Sequence, residues 1–170
     1  MLIRPERRSE FPRLHELVKT AFATAKVSNG DEQNFVDRLR AGAGYIPELA
    51  LVAEDEGALI GHIMLTRTFV STAAGPRPVL LLAPIAVVVE RRRQGLGARL
   101  SEEAFRRARA LGHGAVALVG DPAYYSRFGF RPCADFGIAN ANGIADRYVM
   151  AFELAPGALA DAAGSIAFQT

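Results

Sequence analysis

Several kinds of residue are scarce in this chain of 170 residues. It has a single cysteine, Cys133, so no disulfide can form within the chain, and a reducing compartment is the expected setting. It has no tryptophan, and only Lys19 and Lys26 among its basic residues are lysines. The three histidines are widely spaced and show no ligand pattern, so we expect no metal site.

Strong charge and long apolar runs are also missing. The 20 basic and 18 acidic residues give a net charge of +2, which is too small to indicate a nucleic-acid-binding protein. The N-terminal residues are charged and hold no apolar signal core, and the longest apolar run, residues 79–89, is too short to span a bilayer. A chain of this length is typical of one domain, and we expect it in the cytoplasm with no membrane partner.

Apolar periodicity predicts strands that alternate with helices. The predicted strands are residues 2–4, 49–54, 58–71, 79–89, 115–119 and 149–154. The predicted helices are residues 9–22 after an N-cap at Ser9, residues 31–39 after an N-cap at Asp31, residues 95–111, and a short helix that starts at Asp121 and ends at Gly129. Hairpin strands followed by a parallel strand–helix–strand unit predict an α/β fold, with a central mixed sheet and helices on both faces. One domain is expected over residues 1–154, followed by a tail at residues 155–170 that includes a candidate edge strand.

The most informative segment is residues 92–98, which we call the cradle. It joins a buried strand to a helix, so several backbone N–H groups and the positive end of the helix dipole point at one spot. Gly95 and Gly97 have no Cβ and let an anion approach the main chain closely. The two better-known phosphate motifs, G-x-x-x-x-G-K-[ST] and G-x-G-x-x-G, are absent. The cradle therefore predicts a diphosphate site made from the side chain of Arg92 or Arg93 and the amides of Arg93, Gln94, Gly95, Leu96, Gly97 and Ala98.

Two stretches together resemble one known family. The stretch LLAPIAVVVERRRQGLGARLSEEAFRRA resembles the acetyl-CoA-binding segment of the GNAT acyltransferase superfamily, and DPAYYSRFGF at residues 121–130 resembles its Y-x-x-x-G-F element. The resemblance covers about residues 1–154. It implies the acyl-CoA N-acyltransferase fold, acetyl-CoA as cosubstrate, and transfer of the acetyl group to a primary amine by direct attack.

The resemblance also implies roles for single residues. Tyr125 stands four residues before Gly129, as the family's acid tyrosine does, and is the expected general acid that protonates the departing CoA thiolate. Tyr124 is expected to pack or to line the acceptor pocket, and Cys133 to lie in the core. Two parallel strands are expected to splay apart and admit the pantetheine arm, which then pairs with the main chain of Ile85, Ala86 and Val87.

The general base is left open. Many members of the family place a carboxylate or a histidine on the strand before the cradle, but residues 77–89 contain neither. Glu32, Glu48, His62 and a chain of water molecules remain as alternatives. The acceptor, a small-molecule or peptide amine, is equally undetermined, as is the acyl chain length. Members of this family are often dimers, which leaves a homodimer open.

Two other functions compete with acetyl transfer. The missing base on the strand fits a protein that binds CoA without catalysis, for instance as a sensor. A nucleic-acid binder would instead use Arg91, Arg92, Arg93, Arg106, Arg107 and Arg109. The nearly balanced charge and the lack of an aromatic-basic motif argue against nucleic acid as a partner.

Overall fold

The computed structural model describes residues 1–168, and Gln169 and Thr170 at the end of the predicted tail lie outside the described residues. Its strands are β1 (Leu2–Pro5), β2 (Ala50–Asp55), β3 (Ala58–Thr72), β4 (Gly75–Val87), β5 (Ala115–Val119), β6 (Arg131–Pro132), β7 (Ile138–Asn140), β8 (Val149–Glu153) and β9 (Gly164–Ile166). Its α-helices are α1 (Phe11–Phe22), α2 (Glu32–Ala41), α3 (Leu96–Ala110) and α4 (Pro122–Tyr125). All the predicted elements are present, with ends shifted by a few residues.

The chain divides into two compact units, and each unit is built from two stretches. The first unit consists of Met1–Thr66 and Leu82–Ala108, and the second consists of Arg67–Leu81 and the chain from Arg109 onward. Strands β3 and β4 each begin in one unit and end in the other. This division does not follow the predicted boundary at residue 154, so a domain at residues 1–154 with a separate tail stays a prediction.

The first unit is a layered structure around β1, β2 and the first part of β3. Antiparallel pairing runs from β1 to β2 and from β2 to β3, with Ala50 opposite Met64. Leu17 and Val18 of α1 pack in one cluster with Met64, while Leu96 and Leu100 of α3 lie against Gly61. Side chains an odd number of residues apart point to opposite faces of a strand, so helices cover both faces of β3 in this unit.

The second unit contains the predicted parallel pair. Leu80 of β4 lies opposite Val116 of β5, and Leu81 lies opposite Ala117. Strand β5 then pairs antiparallel with β8, and β8 with β6. A mixed and mostly antiparallel sheet combined with helices confirms the predicted fold class.

The C-terminal segment belongs to the core of the second unit. Strand β9 pairs with the end of β3 on one side and with β7 on the other, so it is not the edge strand that the sequence suggested. Leu159, Ala162 and Ile166 are buried in the same cluster as Val70 and Ala115. Apolar burial thus explains why this Ala/Gly-rich segment packs into the core of the second unit.

Three local predictions were wrong. Ser9 is not an N-cap, because residues 8–10 form a 3₁₀ turn in which the Glu10 carboxylate accepts a hydrogen bond from the Arg7 amide (2.8 Å). Strand β4 starts at Gly75 rather than at residue 79, because Ala73 and Ala74 alone form the turn after β3. The helix predicted to reach residue 111 ends at Ala110, so Leu111 lies outside it and is 50% exposed.

Candidate active site

The cradle has an unusual backbone. After β4, a 3₁₀ turn at Val89–Arg91 leads into it, and α3 begins at Leu96. Arg93 and Gly95 have positive φ angles, +60° and +78°. For arginine the left-handed conformation costs about 1 kcal/mol or more, whereas glycine adopts it freely. Apart from Gly95 and its two chain neighbours, no residue has an atom within 4 Å of the position that a Cβ on Gly95 would occupy, so this face of the turn is open.

The amides of the cradle from Arg93 onward form a row of unpaired donors. The Arg91 amide just before the cradle and the Arg92 amide at its first residue donate to the carbonyls of Val88 and Val89 (3.0 and 3.3 Å), and the Arg99 amide just after it donates to the carbonyl of Gly95 (3.1 Å). Within residues 1–168, no oxygen accepts from the amides of residues 93–98. The last three of these amides belong to the first turn of α3, where no intrahelical acceptor is available. Free N–H groups at a helix N-terminus are suited to bind phosphate groups.

The two candidate arginine side chains lie in different surroundings. The Arg92 guanidinium donates to the Ala21 carbonyl (2.6 Å) and to Thr24 Oγ1 (2.8 Å), so the protein itself occupies it. The Arg93 side chain is exposed and has no partner in the described part of the chain. The unpartnered Arg93 side chain is therefore a better candidate for the diphosphate than Arg92, and both assignments stay predictions.

The predicted contacts to the pantetheine arm lie at the end of β4. The Val88 amide donates to the Ile60 carbonyl of β3 (3.0 Å). Because main-chain groups alternate in direction along a strand, the amide of Ala86 also faces β3, and those of Ile85 and Val87 face the opposite edge. The Ala86 side chain is 2% exposed and packs with α1. The alternation favours Ile85 and Val87 for main-chain contacts, and the three assignments stay predictions.

Tyr125 is held at the end of β5 by its own short helix. The Asp121 carboxylate caps α4 by accepting from the Ala123 amide (2.9 Å). The ring of Tyr125 then packs so closely on Gly120 that a Cβ at that position would overlap with the ring. It also makes edge contacts with the rings of Tyr124 (4.9 Å between centroids) and Phe130 (5.8 Å). The ring is therefore fixed, while its hydroxyl remains available.

The hydroxyl of Tyr125 is a free donor. No group in residues 1–168 forms a hydrogen bond with it. Burial raises its pKa above the ordinary value, and the neighbouring Tyr124 and Asp121 act in the same direction. The phenol therefore stays protonated at neutral pH, as a general acid requires. The neighbouring Tyr124 instead packs against a side chain, since the Arg127 guanidinium lies over its ring at 4.7 Å.

Four side chains in the first unit form a buried charged cluster: Glu6, Arg40, Tyr45 and His62. Arg40 binds both oxygens of Glu6 (2.8 and 3.0 Å), and Tyr45 and His62 each contact one of them (2.9 and 2.8 Å). The side chains of Glu6 and His62 have no exposed surface. The buried carboxylate of Glu6 is stable because both of its oxygens accept hydrogen bonds from these neighbours.

The charges of this cluster follow from its contacts. Burial alone raises the pKa of Glu6, but the hydrogen bonds from His62 and Arg40 outweigh it and lower the pKa to about 2. Burial lowers the pKa of His62, against the opposing effect of Glu6, so the imidazole is neutral. Its Nε2 then carries the proton that faces Glu6, and its Nδ1 is a buried acceptor with no partner among the described residues.

The candidate bases differ in what surrounds them. Glu48 is exposed. Glu32 accepts a hydrogen bond from the Asn29 amide with Oε1 (3.0 Å), whereas its Oε2 is buried and meets no donor in residues 1–168. His62 is enclosed within the charged cluster. These surroundings do not identify any of the three residues as the general base.

Sequence reasoning missed Glu6, Arg40 and Tyr45. Glu6 directly follows β1, and Arg40 lies on α2 with only 8% exposure. Contacts between residues 34 positions apart leave no periodic signal in a sequence. The only available hint was a histidine, His62, within the apolar stretch at residues 58–65 of a predicted strand.

Other expectations concern Cys133, metals and membranes. Cys133 is 1% exposed and lies in the core of the second unit, where burial raises the pKa of its thiol to about 12. In the described residues, no three side chains of His, Cys, Asp or Glu are grouped to hold a metal ion. No helix of residues 1–168 has the length and apolar character needed to cross a membrane.

Comparisons with known proteins agree with these features. A family model described as an acetyltransferase (GNAT) domain matches residues 2–133. The uncharacterised N-acetyltransferase YjhQ of Escherichia coli K12 is 34% identical over 128 residues, which cover 75% of this chain and 67% of that protein. The uncharacterised N-acetyltransferase YhbS of the same strain is 32% identical over 79% of this chain and 75% of that protein.

Solved structures give the same result. The crystal structure of YhbS from Escherichia coli in complex with CoA matches with a TM-score of 0.81 and 28% identity, over 96% of this chain and 87% of that one. A GNAT family acetyltransferase from Brucella melitensis in complex with acetyl-CoA matches with a TM-score of 0.73 and 28% identity, over 91% and 88%. The strand-to-helix cradle, the matching family model and these relatives agree, and the chain belongs to the GNAT family of acetyl-CoA-dependent N-acetyltransferases.

Proposed function

We propose that the protein transfers the acetyl group of acetyl-CoA to a primary amine by direct attack. The observation that carries this proposal is the row of unpaired amides at residues 93–98, on a turn that is open at Gly95. Bound there, acetyl-CoA supplies an acetyl group activated as a thioester. The free Arg93 side chain adds positive charge at the mouth of the cradle, and the amides of Ile85 and Val87 hold the pantetheine arm.

The transfer needs two proton movements. The amine nitrogen bonds to the acetyl carbon, the carbon–sulfur bond breaks, and CoA leaves as a thiolate. Tyr125 donates its phenolic proton to that sulfur and regains a proton from solvent. A raised pKa and a hydroxyl with no competing partner support Tyr125 in this role.

The proton of the amine leaves to a base. A lysine-like amine has a pKa of about 10.4 and is mostly protonated at neutral pH, so it must lose this proton before or during attack. The enclosed position of His62 makes it a poor acceptor. Glu32 as a residue is half-buried rather than enclosed, so we favour its carboxylate, or a chain of water molecules, as the acceptor of this proton.

A second function, CoA binding without catalysis, is favoured by one observation. Members of this family often place the general base on this strand, but β4 carries no carboxylate and no histidine. Such a protein would bind acetyl-CoA tightly and would release no CoA with any amine.

Nucleic-acid binding has less support, because most of the basic side chains that it needs are engaged. Arg91 pairs with Asp55 (2.9 Å), Arg106 and Arg107 both pair with Glu103 (2.7 Å), and Arg109 donates to the Leu154 carbonyl (2.9 Å). A cytoplasmic location and a homodimer stay predictions.

The proposal is tested by comparing Tyr125→Phe with Tyr124→Phe across a broad panel of amines. We expect Tyr125→Phe to lower kcat by about 100-fold and to leave the Kd for acetyl-CoA unchanged, while Tyr124→Phe retains most of the activity. Equal turnover in Tyr125→Phe and the wild type would remove Tyr125 from the mechanism. Binding of acetyl-CoA by the wild type without CoA release for any amine would favour the non-catalytic function.

A further inference from the structure

The side chain of Arg92 connects elements that are distant in sequence. Its Nη2 donates to the carbonyl of Ala21 in the last turn of α1 (2.6 Å), and its Nη1 donates to Thr24 Oγ1 just beyond the helix (2.8 Å). Its Nε approaches the carbonyl of Val87 at the end of β4 (3.4 Å). One guanidinium thus joins the end of α1, the end of β4 and the first residue of the cradle.

This contact has a clear energetic basis. The last carbonyls of an α-helix have no intrahelical donor, and positive charge is stabilising at that end of the helix dipole. Arg92 therefore caps α1 from 71 residues away in the sequence. Its planar fork suits two neighbouring acceptors, which a lysine ammonium cannot match.

The segment that follows α1 depends on this contact. We call residues 23–31, between α1 and α2, the connecting segment. Its other hydrogen bonds are local, such as the Ala25 amide to the Phe22 carbonyl (3.1 Å), the Asn29 amide to Glu32 (3.0 Å) and the Gly30 amide to Ser28 (3.1 Å). Within residues 1–168, Arg92 is the one residue outside α1, α2 and the segment itself that forms a hydrogen bond with it.

We propose that Arg92 is a positioning residue that fastens the connecting segment to the cradle, rather than a ligand of the diphosphate. The proposal rests on the proposed function for its consequence: when the cradle amides are bound, the Arg92 backbone is fixed, and with it the end of α1 and the start of the connecting segment. That segment leads into Glu32, whose carboxylate we favour as the base that takes the proton of the acceptor amine. Arg92 thereby links binding of the coenzyme to order at the acceptor side.

Hydrogen exchange on the full-length protein tests this directly, with Arg93→Met as the matched control. In the absence of any ligand, we expect Arg92→Met to accelerate exchange of the protected amides in residues 20–31 by about tenfold or more, and to change the Kd for CoA by less than about threefold. Arg93→Met should leave that exchange unchanged and weaken CoA binding by about tenfold. In turnover assays, Arg92→Met should raise the KM for the amine more than the KM for acetyl-CoA.

Two further variants keep the test decisive if Arg92→Met folds poorly. Arg92→Lys retains the charge but not the fork, so we expect it to accelerate exchange as Arg92→Met does. Thr24→Val removes one of the two short bonds and should accelerate exchange of the same residues by about threefold. If Arg92→Met weakens CoA binding as much as Arg93→Met and leaves exchange of residues 20–31 unchanged, Arg92 is a diphosphate ligand and the proposal is wrong. Failure of the wild type to bind CoA would contradict the proposed function alone, since the exchange comparison needs no ligand.

Discussion

The cradle and the charged cluster both lie in the first unit, and they treat their polar groups in opposite ways. In the charged cluster, Arg40, Tyr45 and His62 direct their donors at the same carboxylate, that of Glu6. In the cradle, the amides of residues 93–98 meet no acceptor in the described chain, and the Gly95 turn faces open space. The donors of the charged cluster are paired within the cluster, whereas the amides of the cradle remain unpaired.

This is the difference that we expect between a stabilising site and a binding site. Polar groups that are buried and mutually paired hold elements together, and removal of one partner leaves a buried charge without compensation. Polar groups left unpaired at an open helix N-terminus contribute little to folding and bind an anion when one arrives. Changes in the cluster should therefore alter stability without altering coenzyme affinity, and changes in the cradle should do the reverse.

The largest expected effect comes from Glu6→Gln. It removes the negative charge and leaves the buried Arg40 with only the more exposed Asp37 (3.1 Å) as an ionic partner. We therefore expect the free energy of unfolding at pH 7 to fall by about 3–5 kcal/mol. The Kd for CoA of the folded protein should remain that of the wild type. Urea unfolding and calorimetric titration measure the two quantities.

Glu48→Gln is the matched control for this experiment, because Glu48 is an exposed glutamate. It should change the unfolding free energy by less than about 0.5 kcal/mol. A Glu6→Gln variant as stable as Glu48→Gln would show that the cluster does not hold the first unit together.

The next effect is a loss of stability in acid. The pKa of Glu6 is lowered to about 2 from an ordinary value of 4.5, so its contribution is complete above pH 4.5 and is lost as the pH falls towards 2, by about 3 kcal/mol in all. The pKa of His62 is also lowered, which means that the unfolded chain takes up a proton first and stability already declines below pH 6.5.

Urea unfolding between pH 2 and pH 7 measures both contributions. The Glu6→Gln variant should lack the decline between pH 4.5 and 2, and His62→Gln should lack the decline just below pH 6.5. Identical pH profiles for Glu6→Gln and the wild type would mean that the carboxylate is not held by the contacts described above.

The smallest effect in free energy comes from Gly95→Ala in the cradle. The added Cβ extends into the space where we propose that the diphosphate binds, so we expect the Kd for CoA to rise by about tenfold, or about 1.4 kcal/mol. Gly157→Ala is the control, since Gly157 has the same φ of +78° and the same open surroundings outside the cradle. Both variants should lose about 1 kcal/mol of stability through backbone strain, and only Gly95→Ala should bind CoA more weakly. Equal affinities would show that Gly95 does not face the ligand.

The fold was predictable where the local pattern is strong. Strand β5 matches its predicted residues 115–119, and α4 begins directly after Asp121, where the short helix was predicted to start. Strand β4 was predicted too short because Gly75 and Pro76 are typical turn residues, whereas here they already belong to the strand. Pairing with neighbours outweighed the local preference of these residues.

The site was predictable to the extent that main-chain geometry decides it. A glycine-containing turn between a strand and a helix predicts free amides regardless of the side chains around it, and the cradle has such amides. The partners of side chains were not predictable in this way. Nothing local distinguishes Arg92, which reaches Ala21, from Arg93, which reaches solvent, and nothing local links Glu6 to Arg40. Such contacts depend on which elements the fold brings together.

The central claim is that the amides of residues 93–98 bind the diphosphate of acetyl-CoA. It is tested most directly by following their NMR resonances during titration with CoA and, separately, with pantetheine, which lacks the diphosphate. We predict that CoA shifts these amide protons downfield with saturation and that pantetheine leaves them in place. Saturable binding of CoA, detected elsewhere in the spectrum while the resonances of residues 93–98 stay unmoved, would contradict the claim.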